Sequence, residues 1–185
     1  MDLLQHLRIQ AYANRLANRR LHETMMPLSR DDFHATRTSF FPSFALTLNH
    51  ILAVDLYYVG TLYREAELRR KYREFQSCDT MTELALRQAA SDMRLITFCD
   101  ALDAKGADAM IDMDRGTYVQ TDRVGHVLAH LFMHQTHHRG QAHAMLSGTG
   151  IEPPQLDEFL MPSEAKFRAR DMAVLGWEEG EVYGK

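Results

Sequence analysis

The sequence predicts an all-α protein organised as a four-helix bundle, and three observations carry that prediction. Four long stretches repeat apolar residues at helical spacing, and a single short stretch, between Ala109 and Thr121, alternates in the manner of strands. Inside the last helical stretch His126, His130, His134 and His138 recur at intervals of four. A step of four advances about 40° around a helix axis, so the rings line one slowly drifting stripe, and bundles build their metal sites from side chains on facing helices.

Residues 3 to 25 place Leu3, Leu4, Leu7, Tyr12, Leu16, Leu21 and Met25 at the spacing of a first amphipathic helix. Pro27 and the cluster Ser29, Arg30, Asp31, Asp32 interrupt it. From Pro42 to Glu65 a second helix is apolar all round, hence expected to be the more buried, and it carries His50. The polar stretch from Glu67 to Asp79 reads as an exposed connection with room for a short helical turn. Thr80 to Lys105 forms the third long helix, closed by Gly106.

The alternation around Arg115 and Gly116 predicts a small β-hairpin or an extended crossover. The histidine helix, residues 126 to 149, then follows with Asp122 as N-cap and with Gly148 and Gly150 at its end. Gly140 inside it costs about 1 kcal/mol relative to alanine, and the expected return is close approach of another helix or a ligand. Pro153 and Pro154 fix an extended segment, a shorter helix with Phe167 and Met172 starts near Ser163, and Trp177 and Tyr183 pin an aperiodic tail. Residues 1–160 thus make the bundle, and 161–185 a C-terminal extension packed on the same domain.

With 185 residues, 45% hydrophobic and 25% charged, the chain can fill one core and is small for two. A net charge of −4 argues against nucleic acid and against anionic membrane surfaces as partners. The basic cluster Arg69, Arg70, Lys71 and Arg73 reads as a solvated helix end. Cys78 and Cys99 lie far apart, which excludes a disulfide framework and a thiolate zinc knuckle and fits a reducing cytoplasm. The charged N-terminus does not read as a secretory signal, and no apolar run approaches the ~20 residues that span a bilayer. A cytoplasmic protein is expected.

An open metal site built from imidazoles takes three protein ligands and leaves the remaining position to water or substrate. Two neighbours on the histidine stripe and one histidine from another helix would meet that count. His50, flanked by Leu48, Ile51 and Leu52, is an imidazole in apolar surroundings that needs an explanation. Spacing alone leaves the pairs 126/130, 130/134 and 134/138 equivalent.

The run HLFMHQTHHRGQAHAMLSGTGIEPPQLDEFL resembles the signature of the DinB family, the DinB/YfiT-like four-helix bundle proteins, in which a histidine pair is followed directly by Arg-Gly-Gln. SFALTLNHILAVDLYY resembles that family's second helix. The likeness covers roughly residues 3 to 160. It implies His50, His134 and His138 as a three-histidine site for nickel, zinc or another divalent ion, a homodimer, and, by analogy with relatives, thiol-dependent transferase or isomerase chemistry using a low-molecular-weight thiol. Met133 stands where the family often carries asparagine.

Around the site, His130 is expected to be buried and hydrogen-bonded and His137 exposed, Arg139 and Gln141 to bond within the chain or to contact substrate, and Tyr57 to be a core or interface aromatic. Gln135 follows His134 where a zinc protease would need glutamate, which excludes that class. Two functions are expected: a metal-dependent enzyme acting on a small molecule through an activated thiol or water, of transferase or hydrolase type, and as its alternative a non-catalytic metal-binding or stress-response bundle.

Overall fold

Side chains that accept backbone N–H groups set where the helices begin. In the computed structural model, which describes residues 2–184, Asp2 accepts from the Gln5 amide and starts α1 (Leu3–Met25). Ser29 starts the short α2 (Arg30–His34), inside the segment that reads as an interruption, and Ser43 starts α3 (Phe44–Leu62). The basic cluster forms α4 (Leu68–Arg73), and Thr80 caps α5 (Met81–Asp100). The third long helix stops five residues short of Lys105. Asp103 there accepts from the Gly106 amide at 2.6 Å and opens a new short helix, α6 (Ala104–Asp108), so Gly106 lies inside a helix and does not close one.

The alternating stretch is a hairpin: β1 (Met110–Asp114) pairs antiparallel with β2 (Val119–Arg123). Helix α7 (Val124–Leu146) follows without a break. Asp122 is therefore a strand residue opposite Ile111, and not the N-cap. The ladder itself makes a side-chain cap unnecessary, since the amide of Val124 donates to Ala109 O at 3.0 Å. Ser147 ends α7, before Gly148.

Helices α1 and α3 each pack on both α5 and α7, so the four long helices form the predicted all-α bundle with each touching two neighbours. Its core is not continuous. One apolar cluster holds Leu7 to Ala17, Val54 to Leu62, Leu95 to Cys99 and Val124 to Phe132, and a second holds Leu21, Met25, Phe44 to Leu52, Met81, Leu84 and Ala142 to Leu146. Between them lies a buried polar layer of Asn14, Asn18, His22, Asp55, Gln88, Asp92, Gln135 and Arg139.

A 3-10 turn (Pro162–Glu164), α8 (Ala165–Leu175) and α9 (Glu179–Tyr183) follow the long loop after α7. Asp171 of α8 accepts from Arg20 of α1 at 2.6 Å, and Trp177 meets the ring of Tyr12 edge-on at 4.8 Å. Arg168, with no exposed surface, pairs with Glu179, donates to the carbonyls of Glu158 and Met161, and lies 3.9 Å over the Tyr183 ring. No helix among the described residues is long and apolar enough to cross a membrane.

Candidate metal centre

Three imidazoles meet between α3 and α7, the two helices that also give Asp55, Gln135 and Arg139 to the polar layer. His50 projects from α3, His134 and His138 from successive turns of α7, and one ring nitrogen from each lies within 4.8 Å of the other two. Nε2 of His50 faces Nε2 of His134 at 3.0 Å. Among the described residues no carboxylate or thiol joins the group.

Burial keeps these rings neutral. Desolvation, then the neighbouring His138, lowers the pKa of His50 to about 4. Desolvation with the adjacent histidines lowers His134 to about 3, and His138 is also lowered by desolvation. A neutral imidazole is the form that coordinates. Nδ1 of His138 donates to Gln141 Oε1 at 2.8 Å, and the Gln141 amide is held in that sense by its contact with His137 Nε2 at 3.2 Å. With its proton fixed on Nδ1, His138 presents a lone pair at Nε2. Phe41, from the loop before α3, covers the group with ring centroids 4.4 Å from His50 and 5.6 Å from His138. Sequence reasoning missed Phe41; the only trace of it is the aromatic pair Phe40-Phe41 before Pro42.

Three converging neutral imidazoles, with no further histidine, carboxylate or thiol beside them among the described residues, fit a first-row divalent ion with a position left over. The buried Nδ1 of His134 has no hydrogen-bond partner among the described residues, so the polar contact of that ring is the one its Nε2 makes with His50. A family model described as the DinB family matches residues 5–172. The chain belongs to the DinB family. As a DinB-family chain it is 26% identical over 149 residues to Protein DinB of Bacillus subtilis (strain 168), which covers 76% of this chain and 84% of that protein. The family match runs past residue 160 into α8, further than the resemblance in sequence suggested.

The other residues singled out in this DinB-family chain take varied places. His130 is exposed, and its ring lies 5.5 Å from that of Tyr58, so the expected buried role gives way to a surface contact. His137 is exposed as expected. Arg139 turns away from the three histidines into the polar layer, donating to Asn14 Oδ1 at 2.6 Å and Asn18 Oδ1 at 2.8 Å; desolvation lowers its pKa to about 10. Tyr57 is a core aromatic whose hydroxyl donates to Asp114 O at 2.7 Å. Met133 is 72% exposed, on the far side of α7 from His50. A Cβ on Gly140 would meet nothing within 4 Å, so the expected close helix approach is absent and the residue borders an open groove between α1 and α7.

Proposed function

We propose that His50, His134 and His138 hold one divalent cation, zinc or nickel, and that this DinB-family chain uses it to act on a small molecule, as a thiol-dependent transferase or a hydrolase. The observation that carries the reading is the convergence of three neutral imidazoles, joined among the described residues by no further histidine, carboxylate or thiol. A structural site closes its coordination with protein ligands, whereas an open one belongs to catalysis. A bound cation would supply Lewis acidity, making a small thiol or water nucleophilic at neutral pH. The chain's own residues then have definite tasks: Gln141 orients His138, Phe41 keeps bulk water from the rings, and the polar layer anchors α7 behind them.

The finer assignments belong to the same proposal. Two buried, unpaired cysteines suit a reducing cytoplasm. Leu3 and Met133, both exposed, border a groove between α1 and α7 that offers a second copy an apolar surface, which supports a homodimer. The acidic balance speaks against nucleic acid as a partner.

Metal analysis of the purified chain should find close to one divalent ion per chain, and His134→Ala should abolish it. Full occupancy in that variant would overturn the ligand set. Thiol transfer from several small thiols to an electrophilic acceptor should be faster with the loaded chain than with the stripped one; equal rates would remove the transferase reading.

A further inference from the structure

Between α3, α4 and the hairpin lies a cavity of about 280 Å³, walled by Tyr57, Tyr58 and Tyr72 and by Arg69, Arg73 and Arg115. Its charge is unbalanced. The one carboxylate in its wall, Asp114, is largely exposed and stands 3.8 Å from Arg69. Arg73 has no hydrogen bond or ion pair among the described residues. Partly buried Arg115 spends its donors on neutral acceptors, Tyr58 Oη at 2.8 Å and Gln120 Oε1 at 3.0 Å. Of the other nearby acids, Glu65 pairs with Lys71 and Arg94 and Glu67 with Arg70, while Asp112, in the adjoining cavity with Arg69 and Arg73, accepts from the Thr121 hydroxyl at 2.6 Å.

The arginines are also placed. Gly116, at φ +89°, brings the hairpin turn so close that a Cβ there would lie 1.0 Å from Arg69 Nη1. The Arg115 guanidinium lies 5.5 Å from the Tyr57 ring centre and 5.3 Å from that of Tyr58. Planar guanidinium forks match carboxylate and phosphate oxygens, and the three tyrosine rings, packed edge-to-face at 5.7 Å, give the cavity an apolar wall beside them. A half-desolvated guanidinium without a counter-ion leaves Coulomb energy for a ligand to supply.

We propose that this cavity binds the anionic end of a small organic molecule, a carboxylate or phosphate on an apolar body. Val54 and Tyr57 follow His50 by four and seven residues on one face of α3, so the cavity lies roughly 6 to 10 Å along the helix from that histidine. From α7, His130 stands one turn from His134 and touches Tyr58. The anion site therefore adjoins the α3–α7 seam through Tyr58, and it holds the tail of a substrate whose reacting end lies toward the imidazoles. That last step rests on the metal reading above; the anion site itself does not.

The test is calorimetric titration of the full-length protein as purified, with its metal counted in parallel, using benzoate, its uncharged analogue benzamide, and inorganic phosphate. Benzoate or phosphate should bind, with benzamide at least about tenfold weaker than benzoate. Arg115→Gln should weaken the anion about 10- to 100-fold, the range of a charge-assisted bond. Arg73→Gln, on an exposed side chain without partners and so harmless to folding, should weaken it by about 3- to 10-fold. His134→Ala, which tests the metal reading, should still bind the anion. Equal binding of benzoate and benzamide, unchanged affinity in both arginine variants, or no binding of either anion at about 10 mM would overturn the proposal.

Discussion

Replacing Asp55 by asparagine should stabilise this protein, by an amount that grows with pH. Asp55 is 1% exposed, its Oδ2 accepts from Gln88 at 2.6 Å and Gln135 at 2.9 Å, and its Oδ1 has no partner. Desolvation, reinforced by the charge of Asp92, raises its pKa from 3.8 to about 7. Between those values the native chain holds a proton that the unfolded chain has released. Stability from this group is therefore complete below pH 3.8 and is lost as pH rises through 7. About three pKa units at 1.36 kcal/mol each make the buried charge cost on the order of 4 kcal/mol at about pH 8. Asparagine keeps an acceptor for the two glutamines, and its amide can donate toward Gln135 Oε1, which also lacks a partner. The stability difference, from urea unfolding of both proteins at matched pH, should be near zero at about pH 4 and climb about 1.4 kcal/mol per unit to a plateau above about pH 7. At the plateau the melting temperature should be roughly 8 to 16 °C higher. A pH-independent difference, or a less stable variant at about pH 8, would refute the argument that this carboxylate is held against its charge.

Four further outcomes follow from the same geometry. Gln141→Leu removes the acceptor that fixes the His138 ring, and divalent metal affinity by competition titration should fall about 10- to 100-fold, while unchanged affinity would show that packing alone orients the ring. Because burial lowers His50 to about 4 and His134 to about 3, protons should compete for these rings well below the ordinary histidine range. Dialysed protein should keep its metal at about pH 5.5 and release it near about pH 4, whereas a release midpoint near about 6.5 would contradict the burial argument. In the metal-free chain the same depressed rings are neutral where unfolded ones are charged, so stability should rise with pH from about 4 to about 6.5 on their account. Glu179→Ala leaves the fully buried Arg168 without its carboxylate, and since Glu179 is itself 38% exposed the loss should be about 2 kcal/mol, below the ~3 to 5 kcal/mol of a fully buried pair. A red-shifted Trp177 emission should accompany it; an unchanged spectrum and midpoint would mean that α8 and α9 are held without this pair.

Much of the fold was legible because helix formation is local. The periodicity of residues 3 to 25 became α1 to within its stated ends, and the turn at Arg115 and Gly116 became the hairpin. Errors fell where one local signal competes with another. Ser29 with Asp31 and Asp32 reads equally as a loop cluster and as a capped first turn, and it is the latter. Asp122 looks like an N-cap until the strand it belongs to is paired with Ile111. Asp103 is a stronger start signal than Gly106 is a stop, which is why α5 ends early.

At the candidate centre the division is sharper. The residue order alone determined that four imidazoles share one drifting stripe and that a fifth sits in the most apolar helix, since both depend only on the 3.6-residue repeat and on hydrophobicity. It could not choose among the equivalent pairs without the likeness to relatives. Only the tertiary structure set His50 at 3.0 Å from His134, across 84 residues of chain, while the ladder's drift and rise carried His130 away to Tyr58. The same holds for Arg115, which meets Tyr58 across 57 residues, and for the buried layer that joins all four helices. Such pairings depend on how the helices lie against one another, which is fixed by packing of the two apolar clusters as a whole and is written in no single stretch.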